Sequence, residues 1–300
     1  MNKIIIGTRG SDLSIEQTNI IKEKLLRLSP KFIVDTKIIK TAGDKNMNAI
    51  PLDIIGKGWF TKEIEMELLD KHIDLAVHSL KDLPESLPEG LRISAIPQRG
   101  DVRDVLVSKN NIKFQDLKKG SIVGTDSIRR KIQILAINPN LIVKSIRGNV
   151  NSRLKKLQQE NYDALILAAA GLQRLGLENV ITEYFDPTIM IPAPGQGALV
   201  IETRIEDNNL NEILNQITDE ATFVAVSAER TFARYIGGGC KFPIGSYAKY
   251  NGEQLILYGM LGSLDGTKII KDFIKGDSLD AEKLGEKLAI RMLDHIANYE

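Results

Sequence analysis

The only cysteine in this chain of 300 residues is Cys240, and it directly follows three glycines at residues 237–239. Glycines have no side chain and allow unusual backbone angles, so a large group could lie against the cysteine thiol. A lone cysteine is, however, usually a small buried hydrophobic residue, and glycine after a helix is usually a C-cap. This stretch alone therefore favours a structural role, and other residues must indicate whether Cys240 does chemistry.

Lys81 and Asp82 form a second candidate site. They lie just past a predicted buried strand that begins near Asp74, and they shortly precede Pro84. A position beyond the carboxyl end of a strand is where open α/β sheets place their binding sites. An aspartate in a proline-containing turn is also common without any catalytic role. His78, in the same stretch, is predicted to be a hydrogen-bonded structural histidine.

Arginines accumulate where predicted strands turn into helices. A predicted strand, the dipeptide Gly-Thr and the start of a predicted helix follow one another at residues 3–11 and again at 121–128. The N-terminus of a helix offers unpaired N–H groups that can bind an anion. The helix dipole disfavours arginine in the first helical turn, so an anionic ligand is a natural compensation there. The arginines at or near such junctions are Arg129, Arg130, Arg147, Arg153 and Arg174. One such arginine would be an ordinary surface charge, but the recurring pattern predicts a polycarboxylate or phosphate site.

The remaining elements predict a fold that positions these residues. Strands and helices alternate through residues 3–97 and again through 98–197, which indicates two α/β domains. The Pro/Gly-rich residues 191–198 predict a hinge, followed by a strand that returns to the first domain. Three antiparallel strands and a final helix are predicted over residues 245–297. A long polar connection at residues 41–58 predicts a lid or a disordered segment.

Composition excludes several classes of function. The formal net charge is +1, so no bulk cationic field would recruit nucleic acid or an acidic membrane. One cysteine excludes internal disulfides and suits a reducing compartment, and with only three histidines no metal-ligand cluster is visible. Residues 1–6 carry too short an apolar run for a signal peptide, and no run approaches the roughly 18 apolar residues of a membrane-spanning helix. We therefore expect a cytoplasmic, soluble protein without nucleic-acid or membrane partners. Nothing in the sequence indicates an obligate assembly, so we also expect a monomer.

Several motifs occur in an order and spacing that resemble one enzyme family. They are GTRGS at residues 7–11, HSLKDLP at 78–84, GTDSIRR at 124–130, IRGNV at 146–150, PAPGQG at 192–197 and GGC at 238–240. On these motifs the chain resembles the hydroxymethylbilane synthases, also called porphobilinogen deaminases. The resemblance runs from Ile5 to the last predicted helix.

The resemblance implies an α/β fold class with a specific domain arrangement. Two domains would be like those of periplasmic binding proteins, and a small α+β C-terminal domain would carry a three-stranded antiparallel sheet. The implied boundaries are residues 1–97 with 198–217, residues 98–197, and residues 218–300. The first domain would contain the catalytic aspartate and the lid, the second the arginine-rich carboxylate site, and the third the cysteine loop.

The resemblance also implies a transferase of haem and tetrapyrrole biosynthesis. Such an enzyme joins four porphobilinogen molecules head to tail, with loss of ammonia, onto a covalently bound dipyrromethane, and hydrolysis then releases hydroxymethylbilane. The implied cofactor-binding residues are Cys240, which would hold the dipyrromethane through a thioether, with Lys81, Ser127, Arg129, Arg130, Arg147 and Gly148. The implied substrate-binding residues are Arg9, Ser11, Gln17, Phe60, Arg153 and Arg174.

Asp82 matches the catalytic aspartate of the family. Loss of ammonia leaves a positive charge that passes to ring nitrogens when the next pyrrole attacks, and an ionised carboxylate would stabilise that charge and shuttle the proton. Three departures from the family pattern concern substrate contacts rather than this chemistry: Trp59, Asp126, and Lys241 with Phe242. Asp126 puts a negative charge into an anion-binding turn, although it would also suit capping of the following helix.

Two other functions fit parts of the sequence. A non-catalytic, two-lobed anion-binding protein would explain the first two domains, but it would usually carry an export signal and would leave the glycine-rich cysteine loop unexplained. A hydrolase with a cysteine nucleophile would need a histidine partner, and no convincing one can be named. A bound dipyrrole that colours with Ehrlich's aldehyde reagent would distinguish the resemblance from both alternatives.

Overall fold

A computed structural model describes residues 3–45, 60–237, 243–263 and 268–297 of the chain. Among these residues the strands are β1 (Lys3–Thr8), β2 (Ile33–Ile38), β3 (Leu75–Ser79), β4 (Leu91–Ala95), β5 (Asp104–Ser108), β6 (Ile122–Gly124), β7 (Ile142–Lys144), β8 (Ala164–Ala168), β9 (Glu183–Tyr184), β10 (Leu199–Arg204), β11 (Ile244–Tyr250), β12 (Gln254–Gly262) and β13 (Ile269–Asp277).

The helices alternate with these strands along the chain. They are α1 (Asp12–Leu28), α2 (Ala42–Lys45), α3 (Lys62–Leu69), α4 (Ile128–Ile137), α5 (Val150–Gln159), α6 (Ala169–Arg174), α7 (Asn208–Asn215), α8 (Glu220–Ile236) and α9 (Ala281–Ala297). Of the predicted lid, only the beginning with α2 belongs to the described residues, and residues 46–59 lie outside them.

Residues 1–100 and 198–223 form the first compact unit. Its five-stranded sheet has the order β2-β1-β3-β10-β4, with β1 parallel to both β2 and β3. β10 is antiparallel to β3 and β4, so the chain returns to this sheet as the sequence predicted. Both faces of the sheet are covered, because Ile4 and Leu25 belong to one buried cluster and Ile64 of α3 to another.

Residues 101–197 and 224–300 form the second compact unit. Its five-stranded sheet has the order β7-β6-β8-β5-β9, with β6 parallel to β7 and β8, and with β5 antiparallel to β8 and β9. The order and strand directions of the first sheet are thus repeated, with β5 in the place of β10. In each sheet, the loops that follow the parallel strands emerge at one edge, where α/β sheets bind ligands.

The second unit also contains a three-stranded antiparallel sheet in the order β11-β12-β13. One face of this sheet packs on α8 and α9 through a core that includes Phe232, Leu257 and Leu288, none of which has exposed surface. Gly252, in the predicted turn between β11 and β12, has a φ of +100°, which glycine adopts without strain. The second predicted turn, around Asp265, lies outside the described residues.

The predicted fold class is confirmed: two mixed α/β sheets precede a small antiparallel sheet with its helices. The predicted three-domain boundaries stay a prediction, since the two compact units place the second and third sheets together. Within the described ranges, none of the helices combines the length and the apolar character needed to cross a lipid bilayer.

A substitution at Gly285 would test the close packing of α8 against α9. A Cβ added at Gly285 would lie 2.5 Å from the Ala228 carbonyl oxygen and 2.9 Å from the Phe232 backbone nitrogen. Alanine in a helix interior normally stabilises by about 1 kcal/mol relative to glycine, but here the added methyl group forces the helices apart. We predict that Gly285→Ala destabilises the protein by about 1–3 kcal/mol, seen as a lower melting temperature.

The matched control for this variant is Lys287→Ala, at an exposed position of the same helix. This substitution should change the stability by less than about 0.5 kcal/mol, because it removes no buried contact. A melting temperature of Gly285→Ala that equals or exceeds that of the wild type would contradict the predicted contact.

Candidate active site

The residues after β3 form an exposed turn at the carboxyl edge of the first sheet. Leu80–Asp82 make one 3-10 turn, which the buried side chains of Leu80 and Leu83 anchor on either side. The Leu80 N–H also donates to the Ala198 carbonyl oxygen at 3.0 Å. Asp82 is exposed and Lys81 half-buried, so the sequence-predicted pair stands on a firmly held turn with the carboxylate open to solvent.

Ser11 is the N-cap of α1 and Gln17 lies within this helix, which follows β1, the parallel neighbour of β3. The Ser11 hydroxyl caps α1 by accepting a hydrogen bond from the Ser14 N–H at 3.3 Å. Gln17 is buried, and its amide nitrogen donates to Ser79 Oγ at 2.9 Å. Helix α1 is therefore fastened to the end of β3, the strand that leads into the turn with the catalytic candidate Asp82.

His78 lies inside the first unit, away from solvent. Its Nε2 is 3.1 Å from Glu202 Oε2, and the two side chains are only 5% and 0% exposed. Burial raises the pKa of the nearby Glu65 carboxyl, and the negative charge of Glu202 raises it further. This environment confirms the predicted structural role of His78.

A buried aspartate, Asp104 on β5, organises the arginines of the second unit. Its carboxylate accepts hydrogen bonds from Arg129 Nη1 at 2.7 Å and from Arg130 Nε and Nη2 at 3.0 and 2.8 Å. Gln196 Nε2 donates to the same carboxylate at 2.9 Å. Burial alone would raise the pKa of Asp104, but the charges of Arg129 and Arg130 outweigh it and hold the pKa well below its usual value.

Arg129 and Arg130 differ in how many of their donors the protein uses. Arg130 donates from Nε, Nη1 and Nη2, and its Nη1 bond goes to the Ile166 carbonyl oxygen at 2.9 Å. Among the described residues, the hydrogen bonds of Arg129 start from Nη1 alone and reach Asp104 and the Ile191 carbonyl oxygen, each at 2.7 Å. Asp104 therefore leaves one net positive charge on the pair, and Arg129 is the member with donors left for a ligand.

Three arginines of the second unit, one buried and two half-buried, have lowered pKa values because they are partly or fully removed from water. Burial lowers the pKa of the Arg129 guanidinium, although the negative charge of Asp104 acts in the opposite direction. Burial also lowers the pKa of Arg174, to about 10. Burial and the neighbouring charge of Arg130 lower the pKa of Arg153. A bound carboxylate would offset this cost, since removing a charge from water is unfavourable unless an opposite charge accompanies it.

The loop between β7 and α5 carries Arg147 and Gly148. Gly148 has a φ of +120°, and a Cβ there would lie 2.9 Å from Ser152 Cβ, so this position requires glycine. Arg153 Nε donates to the Gly148 carbonyl oxygen at 2.8 Å, while Arg147 is half-buried. Gly148 thus shapes a loop that places two of the predicted arginines at the carboxyl edge of the second sheet.

The N-cap of α4 is Ser127, so the suggestion that Asp126 caps this helix was wrong. Ser127 Oγ accepts a hydrogen bond from the Arg130 N–H at 3.3 Å. Asp126 precedes the cap position, and its Oδ1 accepts from the Ile146 N–H at 3.0 Å and from the Ser145 hydroxyl. Both donors belong to the loop after β7, and Asp126 therefore joins this loop to the segment between β6 and α4.

The Pro/Gly-rich segment that begins at Ile191 connects the arginines with the three-stranded sheet. Gln133 of α4 bonds both the carbonyl oxygen and the N–H of Ile191, at 2.9 and 2.8 Å. The buried carboxylate of Glu229 accepts from the Gly195 N–H at 2.7 Å and from the Ala248 N–H, on β11, at 2.8 Å. The arginines and the strand that follows the cysteine loop therefore share one hydrogen-bonded framework.

Sequence reasoning missed Asp104 and Glu229, which hold this framework together. The local signal for both was slight, because each is an acidic residue within a predicted strand or helix and has an arginine directly beside it. Three candidates of the sequence analysis lie outside the described residues: Cys240, Trp59, and Lys241 with Phe242.

Comparison with known proteins finds the same family along nearly the whole chain. A family model described as porphobilinogen deaminase, dipyromethane cofactor binding domain, matches residues 4–212, and one described as porphobilinogen deaminase, C-terminal domain, matches residues 223–294. A porphobilinogen deaminase from Oceanobacillus iheyensis is 50% identical over 277 residues, which cover 92% of this chain and 90% of that protein. One from Bacillus subtilis strain 168 is 46% identical over 296 residues, which cover 98% and 94%.

The solved structures with a similar chain trace have much lower sequence identity to this protein. The probable amino-acid ABC transporter extracellular-binding protein ytmK from Bacillus subtilis has a TM-score of 0.44 and 14% identity, covering 72% of this chain and 89% of its own. The methionine binding protein MetQ has a TM-score of 0.44 and 12% identity, covering 71% and 87%. At this distance neither likeness bears on function.

Asp104→Asn tests the buried ion pairs. The substitution leaves Arg129 and Arg130 as two buried like charges without a counter-ion, and we predict a loss of about 3–5 kcal/mol of stability, measured as a lower melting temperature. The matched control is Asp101→Asn, whose partner Arg103 has a 40% exposed side chain. That variant should lose less than about 1 kcal/mol.

The pH dependence gives a second measurement of the same contact. Because folding lowers the pKa of Asp104, its carboxylate stabilises the folded protein at neutral pH, and this contribution is lost as the pH falls from about 4 towards the folded pKa. The wild-type melting temperature should therefore fall more steeply below about pH 4 than that of Asp104→Asn. Equal stability and equal acid sensitivity of the two proteins would contradict the assignment.

Proposed function

Because the chain belongs to the porphobilinogen deaminase family, we propose that it joins four porphobilinogen molecules head to tail, with loss of ammonia, onto a covalently bound dipyrromethane. Hydrolysis then releases hydroxymethylbilane for tetrapyrrole and haem synthesis. The observation that carries the proposal is the positive charge that remains on Arg129 and Arg130, two buried arginines that share the single carboxylate of Asp104. Each pyrrole unit bears two carboxylates, so the growing product supplies the negative charge that these arginines lack.

The arginines of the second unit fit an acidic dipyrrole. Arg129 keeps donors that Asp104 does not occupy, and Arg147 lies on the neighbouring loop of the same sheet edge. Arginine suits this task because its planar fork of donors matches a carboxylate. When bound, the dipyrromethane supplies the pyrrole carbon to which the first porphobilinogen is joined. We assign the cofactor to Cys240, Lys81, Ser127, Arg129, Arg130, Arg147 and Gly148.

Asp82 is the proposed catalytic residue. Its exposed carboxylate stands on an anchored turn, so it can face the N–H groups of a pyrrole without a change in the backbone. The carboxylate stabilises the positive charge that ammonia loss leaves on porphobilinogen, and it accepts the proton that is released after the new carbon–carbon bond forms. A neutral amide at this position could accept a hydrogen bond but could not supply the charge.

The remaining proposed residues bind porphobilinogen through its carboxylates. Arg9 and Ser11 lie where β1 passes into the capped N-terminus of α1, a position that favours anions. The proposed substrate-binding residues are Arg9, Ser11, Gln17, Phe60, Arg153 and Arg174.

We also propose that the enzyme works in the cytoplasm as a monomer. Its single cysteine suits a reducing compartment, where a free thiol persists until it is joined to the cofactor. The net charge of +1 gives no electrostatic reason for a nucleic-acid or membrane partner.

The intact mass of the purified protein tests the covalent cofactor. We expect the wild type to exceed its sequence mass by one dipyrromethane and to colour with Ehrlich's reagent after acid precipitation. Cys240→Ser should fold, but it should show the sequence mass and no colour, because it lacks the thiol that forms the thioether. A wild-type protein that has only its sequence mass, and that takes up no pyrrole from porphobilinogen, would overturn the proposal.

Asp82→Asn tests the catalytic assignment. The amide keeps the size of the side chain but removes its charge, so turnover of porphobilinogen should fall by at least about 10²-fold. The variant should still carry the dipyrromethane in its intact mass. The control Asp70→Asn, exposed at the end of α3, should turn over porphobilinogen like the wild type. A near-normal rate for Asp82→Asn would remove this residue from the catalytic role.

A further inference from the structure

Arg9 forms a half-buried ion pair with Asp44, a residue of α2. Arg9 Nη2 lies 2.5 Å from Asp44 Oδ1, and Arg9 Nε lies 3.2 Å from Oδ1 and 3.3 Å from Oδ2. The carboxylate therefore meets only the guanidinium edge formed by Nε and Nη2. Within the part of the chain that the structure describes, no acceptor contacts Nη1 of Arg9.

Asp44 is itself held in place. Its Oδ2 accepts hydrogen bonds from the Thr41 hydroxyl at 2.8 Å and from the Thr41 N–H at 3.3 Å. The Ala42 N–H donates to Glu63 Oε1 at 2.7 Å, which fastens the start of α2 to α3. Burial opposes ionisation, but the hydrogen bonds and charge of Arg9 and the bonds from Thr41 lower the pKa of Asp44, so it is a carboxylate at neutral pH.

Phe60 covers one face of the same guanidinium. Its ring centroid lies 4.1 Å from Arg9 Cζ, which is a cation–π contact. Gly43 makes room for the ring, because a Cβ there would lie 2.2 Å from Phe60 Cε1. Arg9 is thus held at one edge by Asp44 and at one face by Phe60, while none of the described residues occupies the donors of Nη1.

We propose that Asp44 is a positioning residue, which presents the Nη1 edge of Arg9 to a carboxylate of porphobilinogen. The inference rests on the proposed function, since it takes Arg9 as a substrate-binding residue. An arginine that is already ordered loses little further conformational freedom when the ligand binds. Asp44 therefore strengthens substrate binding through Arg9, even though its own charge is negative.

The opposite role for Asp44 would be that of a competitor, which a substrate carboxylate must displace from Arg9. The geometry favours positioning, because a bidentate carboxylate occupies one guanidinium edge and Asp44 leaves the Nη1 edge uncovered. The two roles predict opposite effects when the carboxylate of Asp44 is removed. Loss of a positioning residue weakens substrate binding, whereas loss of a competitor strengthens it.

The test compares the steady-state kinetics of the holoenzyme variants Asp44→Asn and Thr41→Val with porphobilinogen as substrate. Asp44→Asn removes the charge that orients Arg9, and we expect KM to rise about tenfold, equivalent to about 1.4 kcal/mol, with kcat nearly unchanged. Thr41→Val keeps the charge but removes one hydrogen bond to it, so KM should rise by a smaller factor. The control Asp35→Asn breaks an exposed ion pair with Lys3 and should alter neither constant.

Each outcome decides for or against the positioning role. A KM of Asp44→Asn that is unchanged or lower, or a loss confined to kcat, overturns it. If Asp44→Asn melts early while Thr41→Val keeps the wild-type KM, Asp44 has only a structural role and the inference fails. A wild-type protein that does not turn over porphobilinogen refutes the proposed function instead, so the two failures are distinguishable.

Discussion

The ion pairs of Asp104 with Arg129 and Arg130 are the interaction on which the anion-binding edge of the second unit depends. Two arginine side chains could not be held inside a protein at this proximity without a counter-ion, because desolvation and mutual repulsion both oppose it. Asp104, with no exposed surface, removes one of the two charges and takes hydrogen bonds from both guanidinium groups. One positive charge remains, which is the condition for a site that is stable when empty and still attracts a carboxylate.

The first unit uses the same arrangement in a more exposed setting. Asp44 takes one edge of Arg9, and the two side chains are 28% and 24% exposed. Water screens this pair more than the buried one, so it contributes less to folding and acts mainly on the orientation of the guanidinium. In both units an internal carboxylate determines which arginine donors remain for a ligand. An arginine near a strand–helix junction is therefore available for binding only to the extent that its acidic partner leaves donors open.

The two five-stranded sheets share one strand order and provide two edges of different chemistry. The loops after β1 and β3 carry the exposed carboxylate of Asp82 together with Arg9 and Lys81, whereas the segments after β6 and β7 carry buried or half-buried arginines. Gly124 at the end of β6 leaves room for Leu165, whose Cδ2 would lie 2.6 Å from an added Cβ, and the positive φ of Gly148 lets the loop after β7 turn tightly. Glu229 and the segment after Ile191 then fasten the arginine edge to the third sheet, whose first strand follows the cysteine loop.

Local signals in the sequence by themselves determined most of the elements, because hydrophobic period, helix caps and turn residues act over a few positions. They located the turn with Asp82, the returning strand β10 and the antiparallel strands of the third sheet. Only the tertiary structure decided how the arginines are compensated. Asp104 lies 25 residues from Arg129, and Asp44 lies 35 residues from Arg9, so no local pattern couples them. The partner of Asp126 was decided in the same way, since its nearest backbone donors come from a loop 20 residues further on. Such pairings depend on which strands become neighbours in a sheet, and that neighbourhood is set by the packing of the whole unit.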